Sequence, residues 1–311
     1  MSASPHASAH TFPREAIWLL VALTIGWGVN WPVMKVVLTE MAPLHFRTLC
    51  LFVGAAGVFL IARANRLPIA VPAGAWTKLV VISLFNMTGW NILAIYGIPL
   101  LESGRAAILG YTMPVWGVVL GTVFLGERFT ARRALGVALG MAGMALLFGG
   151  EVAALGRSPL GATLMISAAI SWAIGTVLMK RWQLAMPASS LTAWQMLIGG
   201  IPILIGALFV EKGSFRFWEL SLWPALGVVY NLTVAFVFAQ WAWIKIALLA
   251  PIGVSTLSTL MIPVVGVFSG MVFLGERPDW TDFAALALVV ASLATVMPLP
   301  AFLSRSADQG R

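Results

Sequence analysis

Ten times along this chain a stretch of about twenty residues runs with few or no charges, over approximately 16–38, 43–62, 77–99, 104–125, 132–149, 159–180, 188–210, 221–246, 251–274 and 281–299. A helix rises about 1.5 Å per residue, so such a run crosses the roughly 30 Å hydrocarbon core of a bilayer. In lipid the backbone must satisfy its own hydrogen bonds, which leaves helices or closed barrels, and runs of this length select helices. The connections are short and leave nothing for a soluble domain. Composition agrees: 60% of residues are hydrophobic and 10% charged, against about 45–50% and 25% in a soluble domain. The expected fold class is an all-α membrane protein with ten transmembrane helices. The first apolar run is too long for the core of a signal peptide and reads as an uncleaved helix. Segments 1–13 and 300–311 read as polar tails.

The second constraint is a repeat. PVWGVVLGTVFLGER (114–128) aligns without gaps with PVVGVFSGMVFLGER (263–277), identical at eleven of fifteen positions. WGVNWPVMK (27–35) loosely matches WAIGTVLMK (172–180), and Asn86 and Asn231 hold similar places in the third helix of each half. Residues 14–149 and 159–299 therefore form two five-helix units. Five is odd, so the second copy enters the bilayer from the opposite face, an inverted repeat common among secondary transporters. Pro114, Gly126, Glu127 and Arg128, with Pro263, Gly275, Glu276 and Arg277, form the repeat motif. Its glycine suits a helix end that needs positive φ, and its Glu and Arg can cap or pair in the interface. The expected N-caps of the next helices are Thr130, and Asp279 or Thr281. Gly117/Gly121 and Gly266/Gly270 have a spacing that admits a close helix crossing, and Gly136, Gly140 and Gly143 suggest another tight contact.

The net charge of +8 comes from scattered Lys and Arg with no basic run, so nucleic acid is not an expected partner. Twelve of the 19 basic residues fall on the side that carries both termini, which places the termini in the cytoplasm. The lone cysteine, Cys50, excludes an internal disulfide framework and reads as a packed thiol. Of the three histidines, His6 and His10 lie in the N-terminal tail. There is no phosphate loop, metal spacing or nucleotide fingerprint, so no cofactor, metal or catalytic residue is expected, and neither an enzyme nor an ATP-driven pump is indicated.

Two five-helix halves, a Trp-rich first helix and a proline-to-LGER fourth helix resemble the EamA-type branch of the drug/metabolite transporter superfamily. Within it, the chain is most similar to bacterial aromatic or neutral amino-acid exporters of the YddG type. The resemblance implies a helical basket around a central cavity, alternating access between the halves, and a multi-pass protein of the bacterial inner membrane.

Polar groups in lipid are costly and should face protein or water. On helix 1, Trp27, Asn30, Trp31 and Met34 share one face, and Pro32 leaves the Gly28 carbonyl without its helical donor. Lys35 follows as a partner for a solute carboxylate. Helix 3 offers Asn86, Trp90, Asn91 and Tyr96; helix 4, Tyr111; helix 6, Trp172 and Thr176; helix 8, Asn231, Gln240 and Trp241; and helix 7 adds Gln195. These are the candidate solute-binding residues, although a mid-helix Asn or Gln also serves as interhelical glue. Trp18, Trp76, Trp223 and Trp280 read as interfacial anchors, and His45 and Arg47 as interfacial or gating groups.

No Asp or Glu falls in the middle of a predicted span. This argues against proton antiport through a membrane carboxylate and for facilitated export. Aromatic and amide groups suit a small amphipathic neutral solute such as an aromatic or large neutral amino acid. The alternatives are a nucleotide-sugar or phosphate-ester transporter of the same fold, which would want several deep cations, a drug transporter, which would want a carboxylate for a cationic drug, and, from another class, an integral-membrane enzyme or receptor. The expected partners are a small-molecule solute and the lipid bilayer, with the chain acting as a monomer.

Overall fold

The computed structural model describes residues 14–153, 159–212, 217–249 and 252–296. The expected tails at 1–13 and 300–311, and the last residues of the tenth predicted span, lie outside them. Among the described residues there is no strand. The first half contains α1 (Arg14–Val37) and α2 (Pro43–Ala64). It continues through α3 (Trp76–Ser83), a π-helical segment Leu84–Gly89, α4 (Trp90–Gly97) and a 3-10 turn Ile98–Leu100. Then come α5 (Ser103–Gly110), α6 (Met113–Leu125) and α7 (Ala131–Ala153). The second half contains α8 (Leu160–Trp182), α9 (Ala188–Phe209) and α10 (Leu222–Tyr230). It continues through a π-helical segment Asn231–Phe238, α11 (Ala239–Leu249), α12 (Ile252–Leu274) and α13 (Trp280–Val296). Among the described residues seven helical runs are long and apolar enough to cross a membrane, and Met261–Leu274 and Trp280–Thr295 are shorter apolar helices.

Both π-helical segments carry the repeat-related asparagines, Asn86 and Asn231. Asn231 Nδ2 donates to Gly227 O (3.0 Å) and Asn91 Nδ2 to Met87 O (2.8 Å). An amide that takes the carbonyl of the preceding turn competes with the backbone ladder and locally loosens it. The freed Gly28 carbonyl finds a long contact instead, with Ser269 Oγ at 3.4 Å.

The helices pack mainly across the two halves. α1 lies along α12, α2 along α9, α6 along α8 and α7 along α13. The central core of Trp31, Phe46, Ile95, Ile108, Met165 and Val267 draws on both halves. Large apolar side chains such as Leu60, Val123, Phe209 and Val272 point outward and exposed, as a lipid-facing surface requires. The rings of Trp18, Trp76, Trp223 and Trp280 are likewise exposed near helix ends.

The two GER corners repeat closely. Gly126 and Gly275 adopt φ of 66° and 65°. The N–H of the following glutamate turns back to Gly121 O in one corner and Gly270 O in the other, both at 3.3 Å. Nothing lies near an added Cβ at either glycine, so backbone conformation alone asks for glycine there. Thr130 Oγ1 accepts from Arg133 N at 3.4 Å. Asp279, rather than Thr281, caps α13: its Oδ1 accepts from Thr281 N (2.8 Å) and Asp282 N (3.2 Å), and Asp279 N donates back to Asp282 Oδ2 (2.9 Å).

One expectation changes. Gly266 and Gly270 do admit close neighbours, Ala107 with Trp31 and Ser103 with Glu276. Their repeat partners do not: Gly117 faces open space and Gly121 meets only Glu127. The crossing is tight in one copy and open in the other. Gly140 and Gly143 seat α13 residues Ser292 and Val289 against α7, which makes their use a contact within this chain.

Candidate functional site

The charged residues of the repeat motif pair in exchange. Lys35, at the end of α1, bonds Glu276 of the second GER corner at 2.9 Å and Leu101 O at 2.8 Å. Lys180, at the end of α8, pairs with Glu127 of the first corner. Each half thus supplies a lysine to the other half's glutamate. Ser103 begins, and Leu125 ends, one 23-residue helical run. Ser103 N donates to both Glu276 oxygens (2.8 and 2.9 Å), while Glu127 follows Leu125. The two pairs therefore sit at opposite ends of the bundle.

They are not equally closed. At the Glu276 end, Ser103 Oγ adds a bond of 2.8 Å, and Arg105 Nε binds Asp282 Oδ1 at 2.6 Å. Burial pushes the Glu276 carboxyl upward, but the Ser103 donors and Lys35 outweigh it and hold the group below the usual carboxylate range. At the other end Glu127 is also held low, chiefly by its bond to Lys180 and with help from Arg133 at 2.9 Å. There the lysine side chain is 63% exposed, against 28% for Lys35. The Lys35–Glu276 pair is the more buried of the two and the Lys180–Glu127 pair the more exposed, matching the close and open glycine crossings.

The interior candidates separate into groups. Trp31 meets Tyr111 edge-on at 6.3 Å, and Trp90 meets Trp172 at 5.5 Å. Trp31 belongs to the central core, and Trp90 and Tyr111 pack against it. Asn86 Nδ2 donates to Gln195 Oε1 at 3.1 Å, both residues being buried. Gly175 is required beneath it, because a Cβ there would collide with the Asn86 amide. Trp27 lies to one side, with Nε1 donating to Ala235 O (3.1 Å) and its ring 6.1 Å from Trp243. Trp241 stacks near Phe238 at 5.8 Å, with the Lys245 amine 5.1 Å from its ring. Gln240 is half-buried, and Thr176 is exposed with its hydroxyl on its own helix at Trp172 O. Asn91 is buried with its nitrogen on its own helix, and Asn30 is buried with Oδ1 unpartnered. Tyr96 is 40% exposed and donates to Glu211 Oε1 at 3.0 Å. Lys35, expected to meet a solute carboxylate, already holds Glu276.

Several participants escaped sequence reasoning. Glu211 accepts from the N–H groups of Leu44 (2.9 Å) and His45 (3.1 Å) and bonds His45 Nδ1 (2.8 Å), anchoring the start of α2 from the end of α9. His45 and Arg47, expected in the interface, are buried at 2% and 4% exposure. A position one turn inside a span looks interfacial in sequence, and only the helices packed over it remove it from water. At the same end of the bundle a cavity of about 950 Å³ is bordered by Leu38, Met41, Pro43, Glu211, Lys212 and Leu220.

With this geometry established, similarity to known proteins bears on what it does. The model of the EamA-like transporter family matches residues 14–149 and 159–297. The chain is 28% identical to a probable amino-acid metabolite efflux pump of Salmonella typhimurium, covering 90% of this chain and 94% of that protein. It is 27% identical to the uncharacterized transporter YoaV of Bacillus subtilis, over 83% of this chain and 88% of that one. It is 26% identical to the inner membrane transporter YedA of Escherichia coli K12, over 89% of each. A solved crystal structure superposes with a TM-score of 0.65 at 19% identity, covering 94% of this chain and 99% of that one, which is likeness of fold.

Proposed function

Because this chain belongs to the EamA-like transporter family, we propose that it exports small amphipathic metabolites, aromatic or other neutral amino acids among them, by alternating access. It is a multi-pass membrane transporter that acts on a small solute, not an enzyme. The observation that carries the alternating-access reading is the exchanged pairing of Lys35 with Glu276 and Lys180 with Glu127 at opposite ends of the bundle. Two like devices, one more buried and one more exposed, are what a ten-span inverted repeat needs to open one end while closing the other. Both termini then lie on the Glu127 side, in the cytoplasm.

The proposed solute class is supported by the aromatic and amide groups of the interior. The Trp31–Tyr111 and Trp90–Trp172 pairs offer ring edges and faces, and Asn30, Asn86 and Asn231 offer amides. Two relatives are named as probable amino-acid metabolite efflux pumps. No carboxylate stands in the middle of a span, so transport runs down the solute gradient. The test is flux of L-phenylalanine and L-leucine in proteoliposomes under an imposed solute gradient. The expected result is uptake whose initial rate is unchanged by a protonophore. Collapse of that rate overturns the facilitated reading, and absence of flux for any neutral amino acid overturns the solute class.

A further inference from the structure

Arg47 is the least explained charge in the molecule. Its side chain is sealed between α1, α2 and the Asn231–Phe238 segment, and the residue is 4% exposed. One terminal nitrogen touches Met34 Sδ at 2.6 Å, and the guanidinium carbon lies 5.3 Å from the Phe46 ring and 5.5 Å from the Phe236 ring. Its Nε is buried with no partner. Among the described residues no carboxylate lies within ion-pair distance of it. A thioether is a weak acceptor and ring faces compensate a cation only in part. A buried charge without a counter-ion is strongly unfavourable, and such residues inside membranes mark functional sites. Among the described residues the other buried arginine, Arg105, has Asp282 at 2.6 Å and Asp279 at 3.3 Å, so this fold pairs that arginine with carboxylates and leaves Arg47 with only the sulfurs of Met34 and Cys50 as side-chain acceptors.

The elements that touch Arg47 also carry bare acceptors. Asn30 precedes Met34 by one turn on α1, and its Oδ1 is buried without a donor. Asn231 opens the segment that contains Phe236, and its Oδ1 is likewise buried and unpaired. A cation with an unpartnered Nε–H and two unpaired amide oxygens on its packing neighbours ask for a ligand that brings an anion and a donor together. The planar fork of a guanidinium matches a carboxylate, and an amide oxygen suits an ammonium. The cavity of about 950 Å³ at this end of the bundle reaches Pro43, one turn before Arg47, and is also bordered by Glu40, Glu211 and Glu219; Arg47 itself lies behind it.

We infer that Arg47 is the carboxylate-binding residue of the transport site, with Asn30 and Asn231 positioned for the ammonium group of an α-amino acid. The inference rests on the transport reading above and names the group through which the solute is held. Closure over an empty site leaves the cation bare, whereas closure over a carboxylate pairs it, so solute favours the occluded form.

The experiment compares L-phenylalanine and L-leucine with their carboxamides, in uptake by proteoliposomes and in thermal shift of the purified full-length protein. Wild type should favour the acids by about thirtyfold or more, the loss expected when one partner of a buried charge pair is removed. R47Q should lose that preference, while R47K, which keeps the charge but not the fork, should retain part of it. Equal handling of acid and amide by wild type overturns the inference without need of a variant. So does a preference preserved in R47Q, or one that in R47K equals wild type if R47Q does not fold. If wild type moves and binds neither acid nor amide, the amino-acid reading falls and this one with it. Flux without carboxylate preference removes Arg47 alone.

Discussion

At the scale of the residue, the chemistry turns on a few charges whose partners lie far away in sequence. Lys35 and Glu276 are 241 positions apart. Both were visible in the sequence, the lysine as the end of a repeated helix and the glutamate as the middle of GER. Their union was not, because no local pattern encodes a contact between two halves. The pair has a consequence for pH. The folded carboxyl of Glu276 is held below its ordinary value of 4.5, with burial opposing and the Ser103 donors and Lys35 prevailing. A depressed carboxylate contributes stability above the unfolded pKa and loses it as pH falls through the folded one. The thermal midpoint of the wild type in detergent should therefore hold from neutral pH down to about 4.5 and decline below it. E276Q should start lower at neutral pH, and its difference from wild type should shrink in acid. A constant difference across that window would remove the linkage. Arg47 teaches the converse lesson. Its place near the start of a span predicted an interfacial role, and the packing of Phe46, Phe236 and Met34 around it buried it.

At the scale of the element, the apolar runs gave helix positions within a few residues, because length and hydropathy in lipid leave little alternative. The interruptions inside them were not legible. Asn231, at the start of one π-helical segment, takes the Gly227 carbonyl, and Asn91, just after the other, takes that of Met87; nothing in composition distinguishes those asparagines from ordinary interhelical glue. The start of α2 is another case. Its preceding residue, Ala42, offers no side-chain cap, so the free N–H groups of Leu44 and His45 depend on Glu211 from α9. E211A should destabilise the protein by about 1–2 kcal/mol, the usual worth of a helix cap. Y96F, which removes one hydroxyl donor to the same carboxylate, should cost less. Thermal unfolding of the two variants side by side reads the order, and a larger loss in Y96F would assign the role of Glu211 to something other than capping α2.

At the scale of the whole molecule, the two copies of one motif are found in unlike states. Gly266 and Gly270 are pressed against Ala107 and Ser103, while Gly117 and Gly121 stand open to other helices. Lys35 is more buried in its pair than Lys180 in the equivalent one. In a protein with Cys50 replaced by alanine, a cysteine at Ala107 should resist a membrane-impermeant thiol reagent, since Ala107 is fully buried beneath Gly266. Adding E276Q should release that end and raise labelling severalfold. If labelling stays unchanged although transport is altered, the Lys35–Glu276 pair does not hold the end closed. The sequence by itself determined that this chain spans a membrane as apolar helices and that one motif recurs in both halves. Hydropathy, helix length and repetition are local properties, written residue by residue. Only the tertiary structure decided which lysine meets which glutamate, which copy is closed, and that Arg47 lies buried without an anion. Those depend on distances between helices that the chain brings together from opposite halves, and packing across that seam sets them.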